Sequence, residues 1–121
     1  MKIMLSIAEW QIEGELYEHP VASELANLLP LELVFNDFNN VEKVATLGRS
    51  LTVRGVPDAD APVPGEIGYY SPLQTLVLYY ENPGEWPGLV RMGRTGFDVD
   101  VLRDLPDGTR IRIAPSPPLP S

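Results

Sequence analysis

Short runs in which apolar and polar positions alternate cover much of the chain. Ile3, Leu5 and Ile7 alternate with their neighbours, and a second alternating run spans residues 11–17 after a connection at 8–10. A period of two is typical of strands with one buried face, and so short a connection predicts a hairpin. We therefore expect the chain to begin as two antiparallel strands.

The remaining extended segments predict more strands. Residues 33–35 and 41–47 flank the turn-forming pair Asn39-Asn40, which predicts a second hairpin. Residues 76–80 have no polar face, so we expect a central strand that is covered on both sides. Further short strands are predicted at 51–53, 68–70, 89–94 and 110–113.

Two segments have the period of a helix instead. One apolar stripe predicts a helix over 20–29, where Pro20 fits the first turn and Pro30 marks the end. Asp98 is placed to cap a second short helix over 98–105. The chain should therefore be mainly β, with two short helices.

One long loop and one tail interrupt this pattern. Residues 55–65 contain three prolines between two glycines and have no periodicity, which predicts a surface loop. Such loops are often functional, and a plain connector is an equal alternative. After the last strand the chain becomes proline-rich, so we expect a barrel domain at 1–114 and a mobile tail at 115–121.

Composition limits the class of protein. The 121 residues fit one domain, and 44% are hydrophobic without any run long enough for a membrane helix, so we expect no membrane partner. A net charge of −8 repels phosphate backbones, so we also expect no nucleic-acid partner. The absence of cysteine excludes disulfides and thiolate sites and fits a cytoplasmic location.

Few residues match a known catalytic or cofactor motif. His19 is the single histidine and precedes Pro20 at the predicted helix start, which favours a structural role over acid-base catalysis. No nucleophile elbow or phosphate-binding glycine motif is present, so no catalytic residue is assigned and no cofactor is expected. Asp58, Asp60 and Glu66 lack the spacing of a calcium loop, and we expect no metal site.

The most distinctive segments are PGEIGYYSP at 64–72 and GLVRMGR at 88–94, supported by EKVA at 42–45 and LLP at 28–30. Together they resemble the small bacterial cyclophilin-like barrels, a family without an established activity. The resemblance covers nearly the whole chain and implies a closed barrel of about eight strands with two short helices. The interior of so small a barrel is filled by side chains, so we expect any site on its face or mouth.

Within this resemblance, one segment differs from the corresponding segment of prolyl isomerases. Cyclophilins place an arginine in a central strand to polarise the prolyl peptide bond. The segment that resembles it is 34–38, which holds Asp37 and no arginine. A carboxylate repels the carbonyl oxygen that an arginine attracts, so isomerase activity is the least favoured hypothesis unless Arg49 or Arg91 reaches the site from elsewhere.

Aromatic and charged residues near turns are the remaining candidates for a binding site, although core packing explains aromatic residues equally well. The candidates for ligand contact are Phe35, Asp37, Phe38, Tyr69, Tyr70, Trp86, Arg91 and Arg94. We expect them to bind a small molecule or a peptide segment. The alternative is a cofactor-independent enzyme, a cyclase or isomerase, that acts on a small organic substrate through positioned acids, tyrosines or arginines.

Glu42 and Lys43 form the one charged pair inside a predicted strand segment. Neighbouring strand residues point to opposite faces, so the two side chains should not form a salt bridge with each other. Either residue is placed to face a pocket, while solvation of both near the turn is the simpler interpretation.

Overall fold

Ten strands and two α-helices form within residues 1–53, 57 and 59–117, the part of the chain that a computed structural model describes. The strands are β1 (Lys2–Ile7), β2 (Trp10–Leu16), β3 (Leu31–Phe38), β4 (Glu42–Thr46), β5 (Ala59–Asp60), β6 (Glu66–Tyr70), β7 (Thr75–Tyr79), β8 (Trp86–Pro87), β9 (Leu89–Thr95) and β10 (Thr109–Pro115). The helices are α1 (Pro20–Ala26) and α2 (Val99–Asp104), and Ser71–Leu73 form a 3-10 turn.

Eight of these strands close into an antiparallel barrel. Their order is β1-β10-β3-β4-β7-β6-β9-β2, and β2 pairs with β1 to complete the ring. The short strands β5 and β8 form a separate ladder, in which Ala59 pairs with Pro87 and Asp60 with Trp86. The prediction of a mainly β, closed barrel of about eight strands with two short helices is confirmed.

The main core fills the barrel. Successive residues of a strand point to opposite faces, so every second residue of each barrel strand faces inward. Burying one large apolar side chain stabilises the fold by about 1.5–3 kcal/mol, which makes this interior the principal source of stability. The largest fully buried inward residues are Ile3, Leu5, Phe35, Ile67, Tyr69, Leu76, Leu78, Met92 and Ile111.

The two helices cover this core with one apolar face each. Val21 and Leu25 of α1 and Leu102 of α2 are fully buried in the main core. The first helix ends at Ala26, earlier than the predicted residue 29, because a residue before proline disfavours the helical conformation and Leu29 precedes Pro30. Leu28 and Leu29 pack against the core from outside the helix.

The starts of both helices follow the expected chemistry. Asp98 accepts a hydrogen bond from the backbone nitrogen of Asp100 at 2.8 Å, so the predicted cap of α2 is confirmed. His19 caps α1, because its Nδ1 accepts a hydrogen bond from the backbone nitrogen of Val21 at 3.1 Å. The single histidine therefore has a structural role at a helix start.

Three predicted boundaries differ from the structure. Residues 51–53 are not a strand, since the backbone nitrogen of Leu51 is bound instead by the Tyr69 hydroxyl at 3.0 Å. The predicted loop 55–65 contains β5, which finds a partner in β8; positions 55, 56 and 58 lie outside the described residues. Pro115 belongs to β10, opposite Ile3, and the ladder continues at Ser116, whose nitrogen donates to the Lys2 carbonyl at 3.0 Å.

The tail predicted at 115–121 is therefore ordered at least at its first residue, and its last four positions, 118–121, lie outside the described residues. The two-residue connection of the first hairpin is also shorter than predicted. Trp10 already pairs with Ile7 in β2, and Ala8 adopts a left-handed backbone conformation at the turn.

A second apolar cluster lies on the outer face of β7 and its neighbours. Val77 and Tyr79 are fully buried there, together with Leu89 from β9, and Val44 and Tyr70 pack against them. The strand predicted to be covered on both sides is thus β7, whose inward residues face the main core. Barrel strands normally expose their outer face, so this covered patch distinguishes one side of the barrel.

Candidate functional site

An open groove of about 350 Å³ lies against this second apolar cluster. Its volume falls within the range of about 300–1,000 Å³ that is typical of small-molecule sites. Most of the lining is apolar, and Glu42 is the one acidic or basic side chain among the lining residues that the structure describes. The lining consists of Phe38, Asn39, Val41, Glu42, Val44, Tyr70, Leu73, Thr75, Pro83, Trp86 and Leu89.

Strand alternation brings these side chains together. Lys43 and Ala45 of β4 face inward and are buried, so Glu42 and Val44 face the groove. Phe38 is the last residue of β3 and stands opposite Glu42 in the ladder. The part of the groove floor that β4 supplies therefore combines one carboxyl group, from Glu42, with one apolar side chain, from Val44.

The rim is built by exposed apolar side chains from three separate parts of the chain. Phe38 is 51% exposed, Leu73 of the 3-10 turn is 64% exposed, and Trp86 of β8 is 54% exposed. Trp86 is held by its indole nitrogen, which donates to the Pro83 carbonyl at 2.7 Å, and by the ladder between β8 and β5. A contiguous group of exposed apolar residues of this kind is typical of an interaction site.

Glu42 has an unusual environment for a carboxyl group. Burial in the apolar groove, together with the negative charge of Asp37, raises its pKa from 4.5 to about 7. No described residue offers it a hydrogen bond or an ion pair. At neutral pH the group is therefore close to half protonated, the state in which a carboxyl donates and accepts protons with equal ease.

Tyr79 lies beneath the groove, directly opposite Glu42 in the ladder. Its ring occupies the space above Gly68, where an added Cβ would stand only 2.7 Å from the ring, so the position requires glycine. Its hydroxyl is the one buried side-chain polar atom without a partner among the described residues. Burial and the carboxylates of Glu42, Glu66 and Asp60 raise its pKa, so the phenol stays protonated.

Glu66 and Arg91 form a second polar group beside the groove. The guanidinium donates twice to the carboxylate, at 2.8 and 2.9 Å, and the Tyr17 hydroxyl donates to it at 2.7 Å. Burial alone would raise the pKa of Glu66, but these hydrogen bonds and that from the backbone of Val63 outweigh it and lower the pKa. Burial and the bond to Glu66 raise the pKa of Tyr17 to about 12. This cluster is fully paired, which favours a structural role.

A third polar group closes one end of the barrel. Asp37 accepts a hydrogen bond from Tyr80 and lies 3.2 Å from the ammonium of Lys43, which also donates to the Leu105 carbonyl at 2.7 Å. Burial opposes ionisation of Asp37, but the hydrogen bonds from Tyr80 and Lys43 prevail and lower its pKa. The solvated interpretation of Lys43 was wrong, since this side chain is only 3% exposed.

The predicted ligand-contact residues fall into three groups. Phe38, Tyr70 and Trp86 line the groove. Phe35 and Tyr69 have no exposed surface and pack inside the barrel, because they occupy inward positions of β3 and β6. Asp37 and Arg91 are engaged with Lys43 and Glu66, and Arg94 is exposed on β9 outside the groove lining.

Sequence reasoning did not place Glu42 and the apolar residues Val44, Leu73 and Leu89 in the site. Alternation indicated only that Glu42 and Lys43 face opposite sides. An apolar residue on an outward position is no signal of a groove until the neighbouring strands and connections are known.

The structure contains no group of three or more histidine or acidic side chains arranged to hold a metal ion within residues 1–53, 57 and 59–117. In the same part of the chain, none of the helices combines the length and apolar character needed to cross a membrane.

Comparison with known proteins agrees with the barrel. A model of the cyclophilin-like family matches residues 5–114. The solution structure of the hypothetical protein AF2241 from Archaeoglobus fulgidus superimposes with a TM-score of 0.69 and 18% identity, covering 96% of this chain and 95% of that one. No curated protein matches. At this identity the structural likeness shows the fold alone.

Proposed function

The chain belongs to the cyclophilin-like family, and we propose that it uses the outer groove of its barrel to bind a small, largely apolar organic molecule. The observation that supports this most directly is the rim, where Phe38, Leu73 and Trp86 each expose about half or more of their surface around a concave, apolar floor. Covering such side chains with an apolar ligand removes them from water, which is the main driving force of small-molecule binding.

A small molecule fits the groove better than an extended peptide. A volume of about 350 Å³ accommodates one compact ligand, and the lining offers few polar groups for the many backbone donors and acceptors of a peptide. Glu42 is the group that would orient the ligand, because it is the single acidic or basic side chain in the described lining.

Titration with the neutral dye Nile red tests this function. We expect its emission to rise and shift to the blue with the wild-type protein. Trp86→Ala should weaken binding about 5- to 30-fold, the usual effect of removing an aromatic anchor worth about 1–2 kcal/mol. Trp86 is exposed enough that the fold should be retained, which circular dichroism would verify.

Trp10→Ala is the matched control. Trp10 is 47% exposed, close to the 54% of Trp86, but packs on Phe97 away from the groove. Dye binding should be unchanged in this variant. Failure of the wild-type protein to bind the dye, or an equal loss in both variants, would contradict the proposed function.

A cofactor-independent proton-transfer enzyme is the second candidate, and Glu42 is the observation that favours it. A carboxyl with a pKa of about 7 in an apolar groove has the properties of a general acid-base group. The test is hydrogen-deuterium exchange at the carbon acid of phenylacetone, followed by NMR. The wild-type protein should accelerate exchange and Glu42→Gln should not; equal rates would exclude this role for Glu42.

A further inference from the structure

We propose that the ligand of the groove is an organic cation, in which an ammonium group on an apolar body is held by Glu42 and the surrounding aromatic side chains. The inference rests on the proposed binding function and specifies its ligand class. It follows from the one charged group in the described lining, from the aromatic residues beside it and from the charge of the whole chain.

Charge complementarity is the first argument. A carboxyl that is removed from water without a partner is costly to ionise, and a ligand cation removes that cost. Two other carboxylates near the groove already have a cation beside them: Asp37 has Lys43, and Glu66 has Arg91. Glu42 has none among the described residues.

The aromatic residues supply the second argument. Phe38, Tyr70 and Trp86 line the same groove as Glu42. Aromatic faces attract ammonium groups through their negative quadrupole, and sites that recognise such groups typically combine aromatic rings with a carboxylate. The same rings bury the apolar part of the ligand, so both ends of an amphipathic amine find a partner.

The electrostatic surroundings favour a cation over an anion or a neutral donor. Asp37 on β3 acts on Glu42, which stands opposite Tyr79 of β7. Glu66 on β6 and Asp60 on β5 both act on that same tyrosine. Asp37 and Glu66 are paired with Lys43 and Arg91, so the attraction for a cation over longer distances comes from the net charge of −8 of the whole chain.

No described basic side chain competes for Glu42. Lys43 is buried on the other side of β4 and is bound to Asp37 and the Leu105 carbonyl. Arg91 donates to Glu66 through two of its three side-chain nitrogens, Nε and Nη2. Neither cation lines the groove.

Three probes of similar size separate the ligand classes: benzylammonium, benzyl alcohol and phenylacetate, titrated into the 15N-labelled protein at pH 8. We expect benzylammonium to bind at least tenfold more tightly than benzyl alcohol, and phenylacetate to bind most weakly. Since Glu42 has a pKa of about 7, lowering the pH from 8 to 6 should weaken benzylammonium binding about tenfold, because only the ionised carboxyl attracts the cation.

Glu42→Gln tests the residue itself. The variant should lose most of the preference for benzylammonium over benzyl alcohol and should lose the pH dependence. Glu13→Gln changes the net charge by the same amount at an exposed position of β2, where the carboxylate pairs with Lys2, and should behave as wild type. This control separates a local effect of Glu42 from the field of the whole chain.

The possible failures are distinguishable. If benzyl alcohol binds as tightly as benzylammonium, or phenylacetate binds more tightly, the inferred ligand class is wrong while the groove remains a binding site. If the preference for the cation persists undiminished in Glu42→Gln, Glu42 is not its origin and the inference is overturned. If none of the probes and no Nile red binds, the proposed function itself is wrong.

Discussion

Glu42 and Glu66 differ in their titration because their neighbours differ, although both act on the same tyrosine, Tyr79. Glu66 is 3% exposed and meets a guanidinium, a phenol and a backbone donor, so its pKa is lowered. Glu42 meets apolar side chains and Asp37, so its pKa is raised to about 7. At the scale of the residue, a buried carboxylate with a complete set of hydrogen-bond donors has a structural role. A carboxyl group without such donors is free to interact with a ligand.

The stability of the wild-type protein should depend on Glu42 in a specific pH window. Its pKa is higher in the folded state, at about 7, than the ordinary value of 4.5, so the folded state binds more protons between these values and stability falls as pH rises through them. Glu42→Gln should remove this fall. The free energy of unfolding of Glu42→Gln minus that of wild type should be larger at pH 8 than at pH 4.5. After allowing for partial solvent screening of Glu42, we expect this increase to be about 2 kcal/mol.

Urea unfolding at both pH values measures this difference. Glu13→Gln is the control, since its side chain is 55% exposed and should give the same stability difference from wild type at both pH values. A pH-independent effect of Glu42→Gln would show that the carboxyl is solvated in the folded protein.

Arg91→Met should destabilise the fold by about 2–3 kcal/mol near pH 7, because Glu66 would remain buried without its main partner. The lowered pKa of Glu66 contributes stability that is present above its ordinary pKa of 4.5 and is lost as pH falls through the folded value. The variant should therefore unfold in acid at a higher pH than wild type.

Acid titration followed by circular dichroism checks this outcome. Arg94→Met removes an exposed arginine from the same strand and should have little effect. Adding Glu66→Gln to Arg91→Met should recover part of the loss, because the buried charge is then gone. An Arg91→Met protein as stable as wild type would mean that the pair contributes nothing.

Element boundaries in this chain depend on single capping and stop signals. Asp98 was sufficient to place the start of α2, and Asn39-Asn40 was sufficient to place the turn between β3 and β4, where both asparagines adopt left-handed backbone conformations. The pairing of β5 with β8 was not predictable, because two-residue strands have no periodicity and depend on partners 26 and 28 positions away.

His19→Ala should lower the stability of the protein by about 1 kcal/mol, because the nitrogen of Val21 would lose its acceptor at the start of α1. His19→Asn, which retains a side-chain acceptor, should keep most of the stability. Thermal unfolding at pH 8 compares the three proteins. Equal losses in both variants would show that the histidine acts through another contact.

In the molecule as a whole, the groove lies on the outer face of the barrel, and side chains fill the barrel interior. No arginine lines the groove among the described residues, and Arg49 lies exposed in the connection after β4. A prolyl isomerase needs such a cation to polarise the peptide carbonyl. We therefore expect no prolyl isomerase activity from this groove.

Exchange between the cis and trans forms of an alanyl-prolyl peptide, measured by NMR, should accordingly be no faster with the protein than in buffer. A cyclophilin provides the positive control. Acceleration that is retained in Asp37→Ala and abolished in Arg49→Ala or Arg91→Ala would contradict this expectation and show that an arginine reaches the peptide from another strand.

The sequence by itself determined the mainly β class, most strands and both helices, because period-two alternation, caps and turn residues act over a few positions. It also placed Phe38, Tyr70 and Trp86 among the ligand candidates. Tertiary structure alone decided that these three share a groove with Glu42, while Phe35 and Tyr69 lie in the core. Alternation shows which residues share a strand face, but not whether that face points into the barrel. Which face points inward is decided only when the strands close into the barrel. Likewise, the pKa of a carboxyl depends on the charges and apolar surfaces that other strands bring to it, which is why Glu42 and Glu66 look alike in sequence and differ in the folded protein.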